Sequence, residues 1–256
     1  MTHPHNKMNL KLIACNVMEK ELQFAIQDSP HTVEPEFLPM GLHDKGGKKL
    51  LTYLSDRIAN VKTDSFDAII IGYALCNNGI AGLCALSTPI VVPRAHDCIT
   101  LFLGSKKRYL GYFHSNPGVY FQTQGWYTQS DINQSSPIHS NYDTRLSREG
   151  LIKKYGEDNG NFLYDELQKQ YSNYSQYTYI EMGVEDDQDI ELKIRQRATE
   201  RNWKFEKLQG SLSLFQRLVN GDWGNEDFLI VPPGYRIIPT YDDEIIDIEP
   251  CKNEKY

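Results

Sequence analysis

The stretch that decides the fold is Asp67-Ala-Ile-Ile-Ile71, in which four apolar residues follow one another without alternation. Such a run is typical of a strand that is buried on both faces of a parallel sheet. Three other apolar runs lie before and after it: Leu10-Lys-Leu-Ile-Ala-Cys15, Glu36-Phe-Leu-Pro-Met40 and Pro89-Ile-Val-Val92. We therefore predict four buried strands in the first hundred residues.

Helical patterns alternate with these strands. Asn16 is a suitable helix cap with Glu19 three residues later, so a helix is predicted to follow the first strand. A second helix is predicted to begin at Gly46-Gly47, and short helices are predicted at 79–86 and 99–103. Alternation of strands and helices favours an α/β fold with a parallel sheet.

The alternation of strands and helices resumes after a region that lacks it. The interrupting region is aromatic-rich and then rich in Ser, Asn and Gln, with helices predicted near 145–155 and 162–171. Beyond it, the predicted elements are strand 177–182, helix 189–201, strand 203–207, helix 211–219 and strand 228–231. This weak internal repeat predicts two Rossmann-like lobes whose parallel sheets face each other across a cleft.

The domain boundaries follow from this pattern. The first lobe is predicted to span 1–105 and the second 177–240. Residues 106–176 are predicted to be an aromatic-rich helical connection. Residues 241–256 are rich in acidic side chains, and their few apolar residues show no helical or strand period. They are therefore predicted to form a surface tail.

Composition excludes several classes of protein. The 27 basic and 34 acidic residues give a net charge of −7 at pH 7, which argues against a nucleic-acid-binding surface. A mean hydropathy of −0.53 and the absence of an uncharged apolar run near ~20 residues predict a soluble chain without a membrane span. The start, MTHPHNKMNLKL, has no apolar core of a secretory signal. We therefore expect a cytoplasmic protein, whose five cysteines would be thiols, metal ligands or nucleophiles.

Three of these cysteines fall at predicted strand-to-helix junctions: Cys15, Cys76 and Cys98. In a parallel sheet these junctions share the carboxyl edge, where open α/β folds place their ligands. Three thiolates close together repel one another unless a cation neutralises them, so this pattern predicts a shared metal or catalytic site. The alternative is that the thiols are small buried apolar residues. That alternative suits Cys84, on a predicted helix, and Cys251, in the tail.

Polar residues flank the third cysteine. Arg94, His96 and Asp97 provide a fixed cation, an imidazole and a carboxylate on one loop, and such a loop is costly to bury for packing alone. His43, after the second predicted strand, belongs to the same edge. We predict His96 or His43 as a fourth ligand or proton carrier, His96 or Asp97 as the group that moves the proton, and Arg94 as the partner of an anionic substrate.

Backbone donors are predicted in two further places. The turn at Asn77, Asn78 and Gly79 can offer N–H groups to sulfur or to an anionic ligand. In the second predicted lobe, three residues at strand ends can offer the same groups to a carboxylate or phosphate: Gly210, Ser211 and Gly234. Both places are also consistent with ordinary turns.

Two cysteine motifs carry a family resemblance: Gly72-Tyr-Ala-Leu-Cys-Asn-Asn-Gly79 and Pro93-Arg-Ala-His-Asp-Cys-Ile99. With stretches such as Gly221-Asp-Trp223 they resemble the prokaryotic family catalogued as domain of unknown function 1638, from about residue 10 to 238. The family pattern has cysteines at the positions of Cys15, Cys76 and Cys98. The resemblance implies one-carbon or methylated-compound metabolism, with a corrinoid protein or a methyltransferase as partner.

Two functions from different classes follow. The first is a metal-dependent enzyme in which the three cysteines hold an iron–sulfur (4Fe–4S) cluster with one open iron, or a zinc ion completed by His96 or His43. Its substrate would be a small anionic or methylated molecule. The second is an accessory protein that binds a metal or small ligand without turning it over. A metal-free α/β protein with buried thiols is the third reading of the same residues.

Overall fold

The computed structural model describes residues 7–42, 47–132, 148–171 and 173–251. They form two compact units, one made of the residues up to Tyr109 together with those from Gly210 onward, the other of Leu110–Gln209. Both units are mixed α/β, and each contains parallel strands. The predicted α/β class is confirmed in this sense.

The elements alternate along most of the chain. The strands are β1 (Asn9–Cys15), β2 (Thr32–Leu38), β3 (Ala68–Gly72), β4 (Ile90–Pro93), β5 (Val119–Gln122), β6 (Gln176–Glu181), β7 (Lys204–Gln209), β8 (Phe228–Val231), β9 (Tyr235–Pro239) and β10 (Ile246–Pro250). The α-helices are α1 (Glu19–Gln27), α2 (Gly47–Ala59), α3 (Ile99–Leu103), α4 (Lys106–Ser115), α5 (Gln124–Ile132), α6 (Arg148–Tyr155), α7 (Glu157–Tyr171), α8 (Gln188–Glu200) and α9 (Ser213–Val219). A short 3-10 helix, Asn16–Met18, joins β1 to α1.

The first unit is built on a five-stranded sheet of order β2-β1-β3-β4-β8. Every residue of β3 and β4 is buried, as expected for strands covered on both faces. The sheet is parallel from β2 to β4, with Ala14 beside Gly72 at the carboxyl end of β1 and β3. Burial of each Ile or Val in these strands contributes about 1.5–3 kcal/mol, so they dominate the stability of this unit.

Helix α2 forms as its apolar spacing predicts. Leu50, Leu54 and Ile58 are buried, four residues apart on one face of the helix. The predicted first helix differs in detail, since Asn16 opens the 3-10 helix and α1 begins only at Glu19. Helix α1 packs against α9, and its buried Leu22 contributes to the core.

The second unit is built on the parallel sheet β5-β6-β7. Strand β5 lies in the region predicted as a helical connection, where its four residues, Val-Tyr-Phe-Gln, are too few to separate from an aromatic-rich helix. Helix α8 packs on β6 and β7 through Ile194 and Ala198, against Tyr177 and Tyr179. The predicted helices near 145–155 and 162–171 correspond to α6 and α7, although residues 145–147 lie outside the described range.

The structure corrects the predicted assignment of the last strand. Strand β8 pairs antiparallel with β4, Ile90 beside Val231, and therefore completes the first sheet. The predicted second lobe, 177–240, is divided accordingly, because residues from 210 onward belong to the first unit. The run Phe-Leu-Ile-Val carries no directional signal, so only tertiary pairing decides which sheet it joins.

Two further predictions are wrong. Residues 79–82 form turns, and Cys84 lies in an isolated antiparallel bridge with Arg236, so the predicted helix 79–86 does not form. The acidic tail is no loose extension up to residue 251, since β10 pairs with β9 and Cys251 forms a disulfide with Cys84. The two cysteines predicted to be separate thiols are thus joined across a sequence separation of 167 residues.

Among the helices of the described residues, none combines the length and the apolar character that crossing a membrane requires.

Candidate thiol site

Three cysteines, here called the thiol cluster, lie at the carboxyl edge of the five-stranded sheet. Cys15 is the last residue of β1, Cys76 follows β3, and Cys98 directly precedes α3. Because β1, β3 and β4 are parallel neighbours, their carboxyl ends lie at one edge. The structure therefore places the three residues where the sequence predicted them.

The loops that follow β3 and β4 run side by side. The N–H of Leu75 donates to the carbonyl oxygen of Ala95, and the N–H of Cys76 donates to that of His96, each over 2.9 Å. These bonds continue the pairing of β3 with β4 beyond the strand ends. They bring Cys76 next to Cys98.

The thiols of the cluster interact with one another. Cys15, Cys76 and Cys98 are 5%, 8% and 8% exposed, and none of them is in a disulfide. The pKa of Cys98 is raised well above its ordinary value, first because its thiol is hydrogen-bonded to Cys76, then because it is buried and close to the charges of Cys76, Asp97 and Cys15. The thiol of Cys98 therefore retains a proton that a bound cation would displace.

Tyr73 places its hydroxyl among the three thiols, a role that sequence reasoning missed. Its side chain is 2% exposed, and burial together with Cys15, Cys76 and Cys98 raises the pKa of the hydroxyl. Within the described part of the chain this hydroxyl has no regular hydrogen-bond partner, and the Cys15 thiol comes nearest to providing one. The only hint in the sequence is a tyrosine directly after a buried strand.

The turn that carries Cys76 is strained. Cys76, Asn77 and Asn78 have φ values of 43°, 60° and 62°, three successive residues in the left-handed region. Asparagine tolerates this region better than other L residues, whereas for most of them it costs roughly 1–2 kcal/mol. The turn packs against the start of α2, where a Cβ on Gly47 would lie 2.7 Å from the carbonyl oxygen of Asn78. Strain of this kind is concentrated at functional sites.

The predicted donors of this turn are partly used by the turn itself. The N–H of Gly79 donates to the carbonyl oxygens of Leu75 and Cys76. The side chains of Asn77 and Asn78 are exposed. Donors toward a ligand would therefore come from Asn77 and Asn78, and not from Gly79.

Asp97 and His96 differ in their surroundings. Asp97 accepts hydrogen bonds from the N–H of Ile99 over 3.0 Å and from the hydroxyl of Tyr109 over 2.7 Å. Burial raises the pKa of this carboxyl, and the hydrogen bonds from Tyr109 and Ile99 oppose the rise. Asp97 thus fixes the start of α3 and with it the position of Cys98. The side chain of His96 is exposed to solvent.

Arg94 is directed largely toward the C-terminal segment. Its Nη1 donates to the carbonyl oxygens of Glu244 and Ile246 and lies 3.2 Å from Oε2 of Glu244. Its Nε is buried and has no acceptor among the residues that the structure describes. The predicted partner of an anionic substrate is therefore mainly an anchor for the segment before β10, with one donor left over.

The remaining predicted residues lie elsewhere. Ser211 donates its N–H to Phe102 at the end of α3, and Gly210 begins the part of the chain that returns to the first unit. Gly234 bonds to Ala85 and Cys251 and so fastens the disulfide region. These glycine and serine contacts are internal to the fold and do not form a second-lobe ligand edge. The predicted ligand His43 lies outside the described residues.

The donor set suits a thiophilic cation. No group of three or more His, Cys, Asp or Glu side chains in the described ranges is arranged to hold a metal ion. The three thiols nevertheless provide the sulfur ligands that zinc and iron–sulfur clusters prefer, and the thiol of Cys98 is buried and hydrogen-bonded to Cys76. The chemistry of the cluster therefore fits the predicted metal, with the fourth ligand left undefined.

Comparison with known proteins gives a family and no named relative. The sequence matches the family described as Protein of unknown function (DUF1638) over residues 37–219, which includes Cys76 and Cys98 and begins after Cys15. Neither the curated proteins nor the solved structures contain a match. Because the match covers more than half of the chain, the protein belongs to this DUF1638 family.

Proposed function

We propose that this protein is a metal-dependent enzyme in which Cys15, Cys76 and Cys98 hold an iron–sulfur (4Fe–4S) cluster with one open iron, or a zinc ion. The observation that supports this most strongly is the convergence of three buried thiols around one buried hydroxyl. Thiols that serve only as core residues have no reason to meet at the carboxyl edge of a sheet. The strained turn at Cys76 supports the same conclusion.

The metal would supply a Lewis acid that polarises an oxygen or sulfur of the substrate. The residues of the chain would do the rest. The three cysteines would bind the metal as thiolates, and the exposed His96 would exchange a proton with the substrate or complete the metal's ligands, a role that His43 shares as a candidate. Asp97 would position Cys98 through α3, and Nε of Arg94 would donate to an anionic group.

The remaining features of the proposal come from the sequence. The substrate is a small anionic or methylated molecule, and a corrinoid protein or a methyltransferase is the proposed partner, in the cytoplasm. Two Rossmann-like lobes facing across a cleft also belong to the proposal, since each unit contains parallel strands that alternate with helices.

A second candidate is an accessory protein that holds the same metal or a small ligand without turnover. The engagement of Asp97 and Arg94 within the fold favours it, because two of the three side chains predicted for catalysis already have partners. Replacing His96 by Ala separates the two candidates. The enzyme loses turnover of a methylated or anionic test substrate while keeping its metal, whereas the accessory protein has no turnover to lose.

The metal is tested first, on protein purified without exposure to air. We expect stoichiometric zinc or iron, the latter with broad sulfur-to-iron absorption in the visible range. Cys15→Ala, Cys76→Ala and Cys98→Ala should each abolish it, while a variant that replaces both Cys84 and Cys251 by Ala should retain it. Less than about 0.2 metal per chain in the wild type would sink the proposal, because thiolate sites bind tightly.

A further inference from the structure

The hydroxyl of Tyr73 differs from those of other tyrosines that are buried or half-buried. Tyr109 donates to Asp97, Tyr112 is bonded to Thr178 and Glu206, and Tyr179 donates to Asp187. Tyr73, 2% exposed, has no such acceptor in the described ranges. A buried hydroxyl without a partner costs about 1–3 kcal/mol, so its retention calls for a compensating role.

The surroundings of this hydroxyl indicate what the missing acceptor is. The ionisable groups that act on it are Cys15, Cys76 and Cys98, and of these the Cys15 thiol is the one within hydrogen-bonding reach. A neutral thiol is a weak acceptor, whereas a thiolate accepts a strong, charge-assisted hydrogen bond. Binding of a metal ion converts one into the other: the Cys15 S–H proton leaves to solvent as the metal–sulfur bond forms.

We propose that Tyr73 is a positioning residue of the thiol site, whose hydroxyl donates a hydrogen bond to the Cys15 thiolate once the thiol cluster holds a metal ion. This inference rests on the proposed metal site and adds the residue that stabilises its charged state. A hydrogen bond to a ligating sulfur withdraws charge from it, and such outer partners commonly set metal affinity and spectrum. The Tyr73 hydroxyl would thus gain its hydrogen-bond acceptor when the metal ion binds.

The test uses Tyr73→Phe in the full chain, with Co²⁺ alone as the probe under anaerobic conditions. Co²⁺ affinity is measured by competition with a chelator, and the sulfur-to-cobalt charge-transfer absorption is recorded. We expect the variant to bind Co²⁺ roughly 10–100-fold more weakly, with a shifted charge-transfer band. The metal-free variant should unfold at a temperature about 2–4 °C higher than the wild type, because an unpaired buried hydroxyl has been removed.

Two controls separate this role from a general effect. Tyr177→Phe removes the hydroxyl of a buried tyrosine in the second unit and should leave Co²⁺ affinity unchanged. Cys15→Ala should carry no metal through purification, so this control uses added Co²⁺ at concentrations that load its two remaining thiols. If the Tyr73 hydroxyl acts through Cys15, the double variant Cys15→Ala, Tyr73→Phe should then bind Co²⁺ no more weakly than Cys15→Ala alone.

The outcomes distinguish the two proposals. If the wild type binds no Co²⁺, the metal site and the role of Tyr73 are both wrong. If the wild type binds Co²⁺ and Tyr73→Phe binds it with equal affinity and an unshifted band, only the role of Tyr73 is wrong. A metal-free Tyr73→Phe that is less stable than the wild type, or that does not fold, also overturns this role, because the hydroxyl then has a structural partner already.

Discussion

The carboxyl edges of the two parallel sheets carry different chemistry. At the edge of the five-stranded sheet, three thiols lie near the hydroxyl of Tyr73, which has no regular hydrogen-bond partner among the described residues, and a left-handed turn carries Cys76. Beside the three-stranded sheet, the hydroxyl of Tyr179 donates to Asp187, and Lys207 pairs with Glu181 and Glu191. All five cysteines of the chain lie in the first unit.

This difference distinguishes polar groups that stabilise the fold from polar groups that serve a functional site. Buried polar side chains of a purely structural edge find partners, as Tyr179 does, because an unpaired group lowers stability. The edge of the five-stranded sheet instead combines adjacent thiols with an unpaired hydroxyl and strained backbone, both of which lower stability. Such concentrated departures are typical of functional sites.

The largest effect on stability concerns the Cys84–Cys251 disulfide, which fastens the thiol-bearing unit. Replacing both cysteines by Ala should lower the free energy of unfolding by up to about 5 kcal/mol, because a long loop of the unfolded chain is no longer closed. Urea denaturation of the variant and of the wild type measures this loss. The wild type in reducing buffer should match the variant, and a wild type indifferent to reductant would show that this bond contributes nothing.

The next largest effect contrasts two buried tyrosines. Tyr179→Phe should lose about 1–3 kcal/mol of stability, because Asp187, 7% exposed, is left without its donor. Tyr73→Phe should change the stability of the metal-free protein in the opposite direction. Denaturant unfolding of both variants measures the two signs, and equal destabilisation would remove the distinction between the two edges.

At the strained turn we expect a smaller effect on stability, in which Gly is favoured over Ala, the reverse of the order in a helix. At Cys76, φ is 43°, so Cys76→Gly should be more stable than Cys76→Ala by about 1 kcal/mol. In α8 of the second unit, Ala198→Gly should destabilise, as Gly does in an ordinary helix. Thermal unfolding of the metal-free variants provides the comparison. Cys76→Ala as stable as Cys76→Gly would mean that the turn relaxes without cost.

The smallest effect comes from the ion pairs of the second unit. A hydrogen bond from Lys207 lowers the pKa of Glu191 below its ordinary value of 4.5, and a hydrogen bond from Arg195 adds to this effect. The ionised Glu191 therefore contributes to folding stability above pH 4.5, and this contribution is lost as the pH falls through the folded-state pKa of Glu191. Glu191→Gln should cost less than about 1 kcal/mol at pH 7, because its partners are partly exposed, and nothing once the pH is well below the folded-state pKa of Glu191. A loss that persists at the acidic pH, measured by urea unfolding, would point to packing instead of charge.

Much of the first sheet was predictable because its signals are local. The unbroken apolar run before Gly72 and the spacing of Leu50, Leu54 and Ile58 predicted β3 and α2 correctly. Strand β5 was missed because four aromatic and polar residues carry too little pattern. Residues 79–86 were predicted as a helix because their apolar residues mimic helical spacing, whereas the positive φ values before them exclude a regular helix start.

By itself, the sequence determined the α/β class, the strand ends and loops at which Cys15, Cys76 and Cys98 lie, and their common edge, because apolar period and chain order are local properties. Only the tertiary structure decided that β8 completes the first sheet, that Cys84 meets Cys251, and that Arg94 anchors the C-terminal segment. It alone placed the hydroxyl of Tyr73 among the thiols, where the described part of the chain offers it no regular acceptor. These are relations between residues far apart in sequence, and their energies depend on burial and partners that no short stretch of sequence encodes.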